Sequence, residues 1–416
     1  MLAFTFPGQG SQRPGMGAPW VDHPSWEVVE EASTRTERDL FRLLLEADQD
    51  ELTRTANAQL STYVLSLVVL DAIERVGIAP TLCAGHSLGE YTALTASGAL
   101  AFEDGIRLVA ERGDAMHEAA EERAGTMAAV LGADDDAVES ACQRAEGDVW
   151  VANYNAPGQV VIAGDPDGVR LAGDIAKTLG ARKVVPFPVA GAFHTPLMAP
   201  ARARLRKALA ETRFSAPEIP VVANVDARVH DDPVEWPSLL SAQLCSPVRW
   251  RQTLAVLAEL GTTAVVEVGP GGVLTGMARR VLPELRTAAV ATPADIDELV
   301  DVLSGNVALH AFAAAHQGER LFTSERVVVS PAAGVFTPDP SIVVPGPGNG
   351  GPGAAAATPV DDAAGSDVGV GDLVGHVGDA EVRTPFEGRL VGFLVHPGER
   401  VMPGQPVAWL RVAVAR

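Results

Sequence analysis

The chain has 416 residues, too many for one ordinary core, and two or three domains are expected. It is 47% hydrophobic and carries a formal net charge of −21, which argues against nucleic acid and anionic membrane as partners, since both require a basic footprint. Its three cysteines, Cys83, Cys142 and Cys245, are scattered without metal spacing, the usage of a reduced, cytoplasmic protein.

The first predicted element is a strand, Leu2 to Phe6. It has no basic flank and stops at Pro7-Gly8, which is unlike a signal peptide. Gln59 to Val76 follows as a helix apolar on most faces, hence buried, and no apolar run is expected to span a membrane. Thr81 to Ala84 reads as a short strand entering Gly85-His86-Ser87-Leu88-Gly89, after which a helix begins. Between Thr126 and Pro186 the pattern is β-α-β-β-α-β. Its strands are Thr126–Leu131, Trp150–Asn153, Gln159–Ala163 and Lys183–Pro186, and its helices Asp135–Ala145 and Pro166–Leu179. That order predicts a ferredoxin-like subdomain inserted at about 125–190, with a substrate cleft between the lobes. Thr263 to Val268 is a further buried strand ending in Gly269-Pro270-Gly271-Gly272.

Composition changes after Gly318. Residues 326–338 and 368–414 are Val-rich and strand-like, whereas about 341–367 is rich in Gly, Pro and Ala and is expected to be a flexible insertion. The predicted division is therefore an α/β domain over 1–318 and a small all-β module over 319–416. A helix around Asp295 to His316 would tie the two together.

Gly85 to Gly89, between strand and helix, has the context of a nucleophile elbow. The tight turn lifts Ser87 clear, glycines admit the close backbone approach, and the Leu88 N–H can serve an oxyanion. A serine needs a base. Among nine histidines, His194 stands in a small-residue loop, Val189-Ala-Gly-Ala-Phe193-His194, after a strand and before a helix. His86 adjoins Ser87 but should point away from it at so sharp a turn. On another helix, Val109, Arg112 and Met116 fall at i, i+3 and i+7, so Arg112 shares an apolar face and must find an anion, either a structural carboxylate or a substrate.

Six ordered segments carry a family resemblance: Pro7–Gln12, Gly85–Tyr91, Gly191–His194, Asn153–Ile162, Ser246–Trp250 and Glu267–Gly271. From residue 1 to about 300 the chain resembles the malonyl-CoA:acyl carrier protein transacylases. The resemblance implies an α/β, hydrolase-like parallel-sheet core and a Ser87–His194 dyad with no acidic third member. It implies transfer of malonyl from malonyl-CoA to an acyl carrier protein, for fatty acid or polyketide synthesis. It also implies oxyanion donors at Gln9 and Leu88, a backbone carbonyl near Gln243 orienting His194, and Arg112 as the clamp for the free carboxylate. Phe193, Gln59, Asn155 and Gln243 complete the substrate-binding set. Phe193 and Leu88 are the pair more usual in malonyl-selective relatives than in methylmalonyl-selective ones. A serine hydrolase of the same fold and a non-catalytic scaffold remain alternatives.

The helix Arg202–Lys207 is the densest basic cluster, suited to an acidic carrier or simply solvated. The C-terminal module resembles a biotinyl/lipoyl-type barrel-sandwich domain, through Val327–Phe336, Thr384–Val391 and Val395–Val407. Such a domain would carry its modified lysine near Val377–Ala380, yet the last lysine in the chain is Lys207. No biotin, lipoate or other cofactor is expected, and the module reads as a docking element.

Overall fold

The computed structural model describes residues 1–304, 321–342, 366–378, 380–395 and 397–415. The chain divides into two compact units, Met1–Asn306 and Val307–Arg416, twelve residues earlier than the division expected at 318. Gly318, the predicted helix beyond Ser304, most of the predicted insertion at 341–367 and the turn residue Asp379 lie outside the described residues.

The first unit opens with β1 (Leu2–Phe6), α1 (Glu27–Thr36), α2 (Leu40–Leu45), α3 (Gln49–Thr53) and α4 (Thr55–Arg75). Next come β2 (Leu82–Gly85), α5 (Gly89–Ala96) and α6 (Phe102–Glu122). Asp39 and Asp48 cap α2 and α3, each accepting a backbone N–H three residues on and so satisfying a donor that the helix cannot. Helix α4 corrects one expectation: it is long and apolar enough to cross a membrane, but 83% of its apolar window is buried inside the protein. An all-round apolar helix needs a partner on every side, and here the partners are α1, α5, α6 and the sheet.

A smaller lobe follows, built from β3 (Thr126–Leu131), α7 (Asp135–Arg144), β4 (Val149–Ala156), β5 (Gln159–Gly164), α8 (Pro166–Thr178) and β6 (Lys183–Pro186). Its sheet runs β4-β5-β3-β6, every pair antiparallel, with α7 and α8 closing a separate core around Val130, Val138, Ile162 and Ala172. Two backbone bonds join β4 to the larger lobe: Tyr154 N–H to Val248 O at 2.9 Å and Val248 N–H to Ala152 O at 2.9 Å.

The chain then returns through α9 (Ala199–Glu211), β7 (Val221–Val222), β8 (Val229–His230), α10 (Trp236–Gln243) and α11 (Trp250–Glu259). It closes with β9 (Ala264–Val268), α12 (Val273–Val281), β10 (Arg286–Val290) and α13 (Ala294–Ser304). The large sheet has the order β10-β9-β1-β2-β7-β8, parallel except for β8. Its inner strands β1 and β9 are apolar almost throughout, as a sheet covered on both faces requires. The register Phe6↔Gly85 brings the Pro7–Gln12 loop and the Gly85–Gly89 turn side by side at the carboxyl ends of β1 and β2. In open α/β sheets that edge is where ligands bind.

In the second unit, β11 (Leu321–Val329), β12 (Gly334–Pro338), β13 (Asp367–Val368), β14 (Leu373–Val377) and β15 (Ala380–Arg383) precede β16 (Gly388–Phe393), β17 (Arg400–Val401) and β18 (Pro406–Ala415). They form two four-stranded sheets, β11-β18-β16-β13 and β15-β14-β12-β17, over a core that includes Val328, Phe336, Val374 and Leu410.

Candidate active site

The turn after β2 is built on glycine. A Cβ on Gly85 would stand 1.8 Å from the Gly89 carbonyl oxygen, and one on Gly89 2.0 Å from that of Phe6. That crowding places Ser87 at φ +53°, a left-handed conformation that non-glycine residues rarely hold. Asn224, just past β7, supports it: its Oδ1 accepts the Ser87 N–H at 2.7 Å and its Nδ2 donates to Gly85 O at 2.7 Å.

Ser87 Oγ lies 2.7 Å from His194 Nε2. His194, also left-handed at φ +62°, is 4% exposed. Its Nδ1 is 2.8 Å from the Gln243 carbonyl oxygen. A carbonyl only accepts, so Nδ1 carries the proton and Nε2 presents its lone pair to the serine hydroxyl. Burial, reinforced by the nearby Arg112 charge, pushes the imidazole down to about 3.

Arg112 projects from the buried face of α6 and is 1% exposed. Its Nη1 donates to Gln59 Oε1 at 2.5 Å, and its Nη2 to Gln243 Oε1 at 3.0 Å and to Ser87 Oγ at 3.2 Å. Its Nε has no partner, and the guanidinium sits over the Tyr91 ring at 5.4 Å. Among the described residues no carboxylate is hydrogen-bonded to it, so the structural ion pair that the sequence left open is not formed. Burial lowers its pKa.

Gln243 is the junction. Besides its carbonyl to His194 and its Oε1 to Arg112, its Nε2 donates to Ser87 O at 2.8 Å and to Glu90 Oε2. Glu90 is 1% exposed and its Oε1 accepts the Asn224 N–H at 2.9 Å. Burial pushes its carboxyl up to about 7.

Gln9 lies in the loop against the turn, for a Cβ on Gly8 would come 2.5 Å from His86 O. The Gln9 Nε2 is buried without a partner. Phe193 is buried beside His194. Asn155 is one step removed from the cluster: its Oδ1 accepts from His86 Nε2 at 2.9 Å, tying the turn to β4, and His86 also packs edge-on against Trp250. Thus Ser87, His194, Arg112, Gln59 and Gln243 converge, whereas Asn155 reaches them only through His86. Asn224 and the bonding of Glu90 were missed by sequence reasoning. Glu90 stands inside a quoted motif, but nothing in the local pattern around Asn224 marks it.

A cleft of about 490 Å³ lies mostly against the smaller lobe and reaches the cluster at His194. His194, Pro196, Cys245 and Pro247 line one side, and Glu139, Trp150 and Tyr154 of the smaller lobe the other. Among the described residues no three His, Cys, Asp or Glu side chains are grouped to hold a metal ion. The arrangement can deprotonate a half-buried hydroxyl beside a fixed positive charge, which is the equipment of acyl transfer with an anionic acyl group.

The acyl transferase domain family matches residues 3–315. A malonyl CoA-acyl carrier protein transacylase of Bacillus subtilis is 40% identical over 307 residues, covering 73% of this chain and 97% of the relative. An acyl-carrier-protein S-malonyltransferase from Burkholderia pseudomallei is 42% identical, with a TM-score of 0.70 over 72% of this chain and 99% of that one. A malonyl-transacylase solved in complex with its type II PKS acyl-carrier protein is 37% identical, with a TM-score of 0.70 and coverage of 72% and 99%.

Proposed function

We propose that this chain, which belongs to the acyl transferase domain family and within it to the malonyl-CoA:acyl carrier protein transacylases, moves malonyl from coenzyme A to a carrier's phosphopantetheine thiol through an ester on Ser87. The observation that carries the reading is Arg112: a buried cation, without a carboxylate partner among the described residues, 3.2 Å from the nucleophile's oxygen. A buried charge needs a counter-ion, and the free carboxylate of a malonyl group supplies one at that distance from the reacting carbon.

In the first half-reaction Ser87 Oγ attacks the thioester carbon while His194 Nε2 takes its proton. The C–S bond breaks, and the proton passes to the departing coenzyme A sulfur. In the second, His194 takes the proton of the carrier's thiol, sulfur attacks the ester carbon, and Ser87 recovers its hydroxyl. The backbone N–H groups of Gln9 and Leu88 hold the oxyanion in both halves. Phe193 and Leu88 favour malonyl over branched relatives by about 1–3 kcal/mol, the worth of one methyl group's space. The substrate brings its own leaving group, so no cofactor is required.

Arg204 of α9 is engaged by Glu111 and Glu118, and Arg202 by Ser241, so carrier steering falls to the exposed Arg206 and Lys207. The small sheet's order supports a ferredoxin-like subdomain. The second unit, with two four-stranded sheets and no lysine, is read as a biotinyl/lipoyl-like module without covalent cargo that docks the enzyme to a synthase in the cytoplasm.

Incubation with labelled malonyl-CoA tests the function. A stable malonyl-enzyme that passes its label to carrier is expected. Release of free malonate irrespective of carrier identifies a hydrolase, and absence of label a scaffold. Comparison of fatty acid and polyketide carriers decides the pathway.

A further inference from the structure

We propose that Glu90 is the positioning residue that holds the Ser87, His194 and Arg112 arms of the site in register. The inference rests on the acyl-transfer reading but concerns a residue that takes no part in the chemistry described above. Glu90 stands in the first turn of α5, three residues after the nucleophile, and is 1% exposed. A carboxylate so buried is costly unless both oxygens accept hydrogen bonds; here both do, on different arms, and those two donors favour the ionised form against the burial that opposes it.

One arm runs through Asn224. Oε1 accepts its backbone N–H, and the Asn224 side chain in turn grips the turn at Ser87 N and Gly85 O. The other runs through Gln243. Oε2 accepts from its Nε2, leaving Gln243 Oε1 to face Arg112 and its carbonyl to face His194. The orientation of the Gln243 amide is therefore set by what it meets: an acceptor at Glu90 fixes Nε2 on that side and Oε1 toward the guanidinium. Asn224 and Gln243 lie 134 and 153 residues from Glu90, and no other described side chain bonds both. The carboxylate also favours the N-terminal turn of α5, where backbone N–H groups are unpaired.

A neutral amide at this position cannot do the same. In Glu90→Gln one oxygen becomes an NH2 donor, which must face either the Asn224 N–H or the Gln243 amide nitrogen, a donor against a donor. One bond is lost, and either the Ser87 arm or the Arg112–His194 arm is released. A misplacement of this kind, remote from the reacting atoms, costs on the order of 10²-fold in rate.

The test uses the full chain and two probes. A fluorophosphonate labels Ser87 as Oγ–P forms, P–F breaks and His194 takes the proton; it has no carboxylate and requires no malonyl recognition. Acylation by malonyl-CoA is measured beside it, and rates are expressed per folded molecule from thermal unfolding and circular dichroism. Glu90→Gln is expected to slow fluorophosphonate labelling by about 10²-fold and acylation by malonyl-CoA by at least as much, since release of either arm displaces Ser87 or His194. Glu90→Asp keeps both acceptor oxygens but withdraws them by one methylene, and is expected to slow labelling by more than about threefold though less than Glu90→Gln does. Should Glu90→Gln not fold, Glu90→Asp decides by the same readout. Labelling of either folded variant within about threefold of wild type would overturn the proposal, since a purely structural role lowers the melting temperature without slowing the folded fraction. A wild-type enzyme that takes the fluorophosphonate but not malonyl-CoA would refute the malonyl reading and leave the Glu90 comparison standing.

Discussion

Arg112→Ala separates recognition of the acyl group's charge from everything else in the site. In the wild type the guanidinium is buried against two amide oxygens and the Ser87 hydroxyl, with Nε unpartnered, so an arriving carboxylate meets a charge that is already desolvated and oriented. Two unit charges about 4 Å apart attract by roughly 4 kcal/mol at an effective dielectric of 20. Truncating one partner of a buried, hydrogen-bonded charge pair costs about 2–5 kcal/mol. A value near 3 kcal/mol corresponds to roughly 10²-fold in kcat/KM. The substitution also strands Gln59 Oε1 and Gln243 Oε1, a loss that every substrate shares. The quantity to measure is therefore the ratio of kcat/KM for malonyl-CoA to that for acetyl-CoA, in which the shared loss cancels. The ratio is expected to fall by about 10²-fold. An unchanged ratio, with both thioesters losing equally, would show that Arg112 supports the site without reading the carboxylate.

Ser87→Ala is expected to abolish covalent labelling by malonyl-CoA, checked by mass spectrometry of the intact protein. His194→Gln removes the base and is expected to slow acylation by about 10²–10⁴-fold. The same variant tests the imidazole's protonation. His194 is held near 3 in the folded protein against 6.5 in the unfolded chain, so the unfolded state binds more protons below about 6.5. Its contribution to stability is complete above that pH and is lost as the pH falls toward 3, at up to about 1.4 kcal/mol per pH unit. Melting temperatures between pH 7 and 5 should consequently fall less steeply in His194→Gln than in wild type. Charge reversal at Arg206 and Lys207 should raise KM for the carrier while leaving acylation by malonyl-CoA unchanged, as steady-state and single-turnover rates will show. A folded protein ending near residue 318 should transfer malonyl to free carrier at about the full-length rate, and a severe loss would place the second unit in catalysis.

The sequence by itself determined the local pieces. Helix α6 could be placed with Arg112 on its inner face because Val109, Arg112 and Met116 recur at helical spacing, and all three side chains are buried. The strands of the smaller lobe were legible to within a few residues, since apolar runs there are bounded by glycine, proline and charged turns. The Gly85–Gly89 turn declared itself because only glycine tolerates backbone at 1.8–2.0 Å from a would-be Cβ. The start of α4 was placed four residues late, at Gln59, because Thr55-Ala-Asn-Ala58 holds no large apolar residue and Arg54 before it makes no side-chain cap. What only the tertiary structure decided is the meeting of the pieces. Ser87 meets His194 across 107 residues, Asn224 across 137 and Gln243 across 156, while Arg112 meets Gln243 across 131. Those separations are closed by the parallel order of β9, β1, β2 and β7, which no periodicity in a single segment encodes. The same holds for protonation: a histidine near 3 and a carboxyl near 7 are properties of burial, and burial exists only once the distant segments have packed around them.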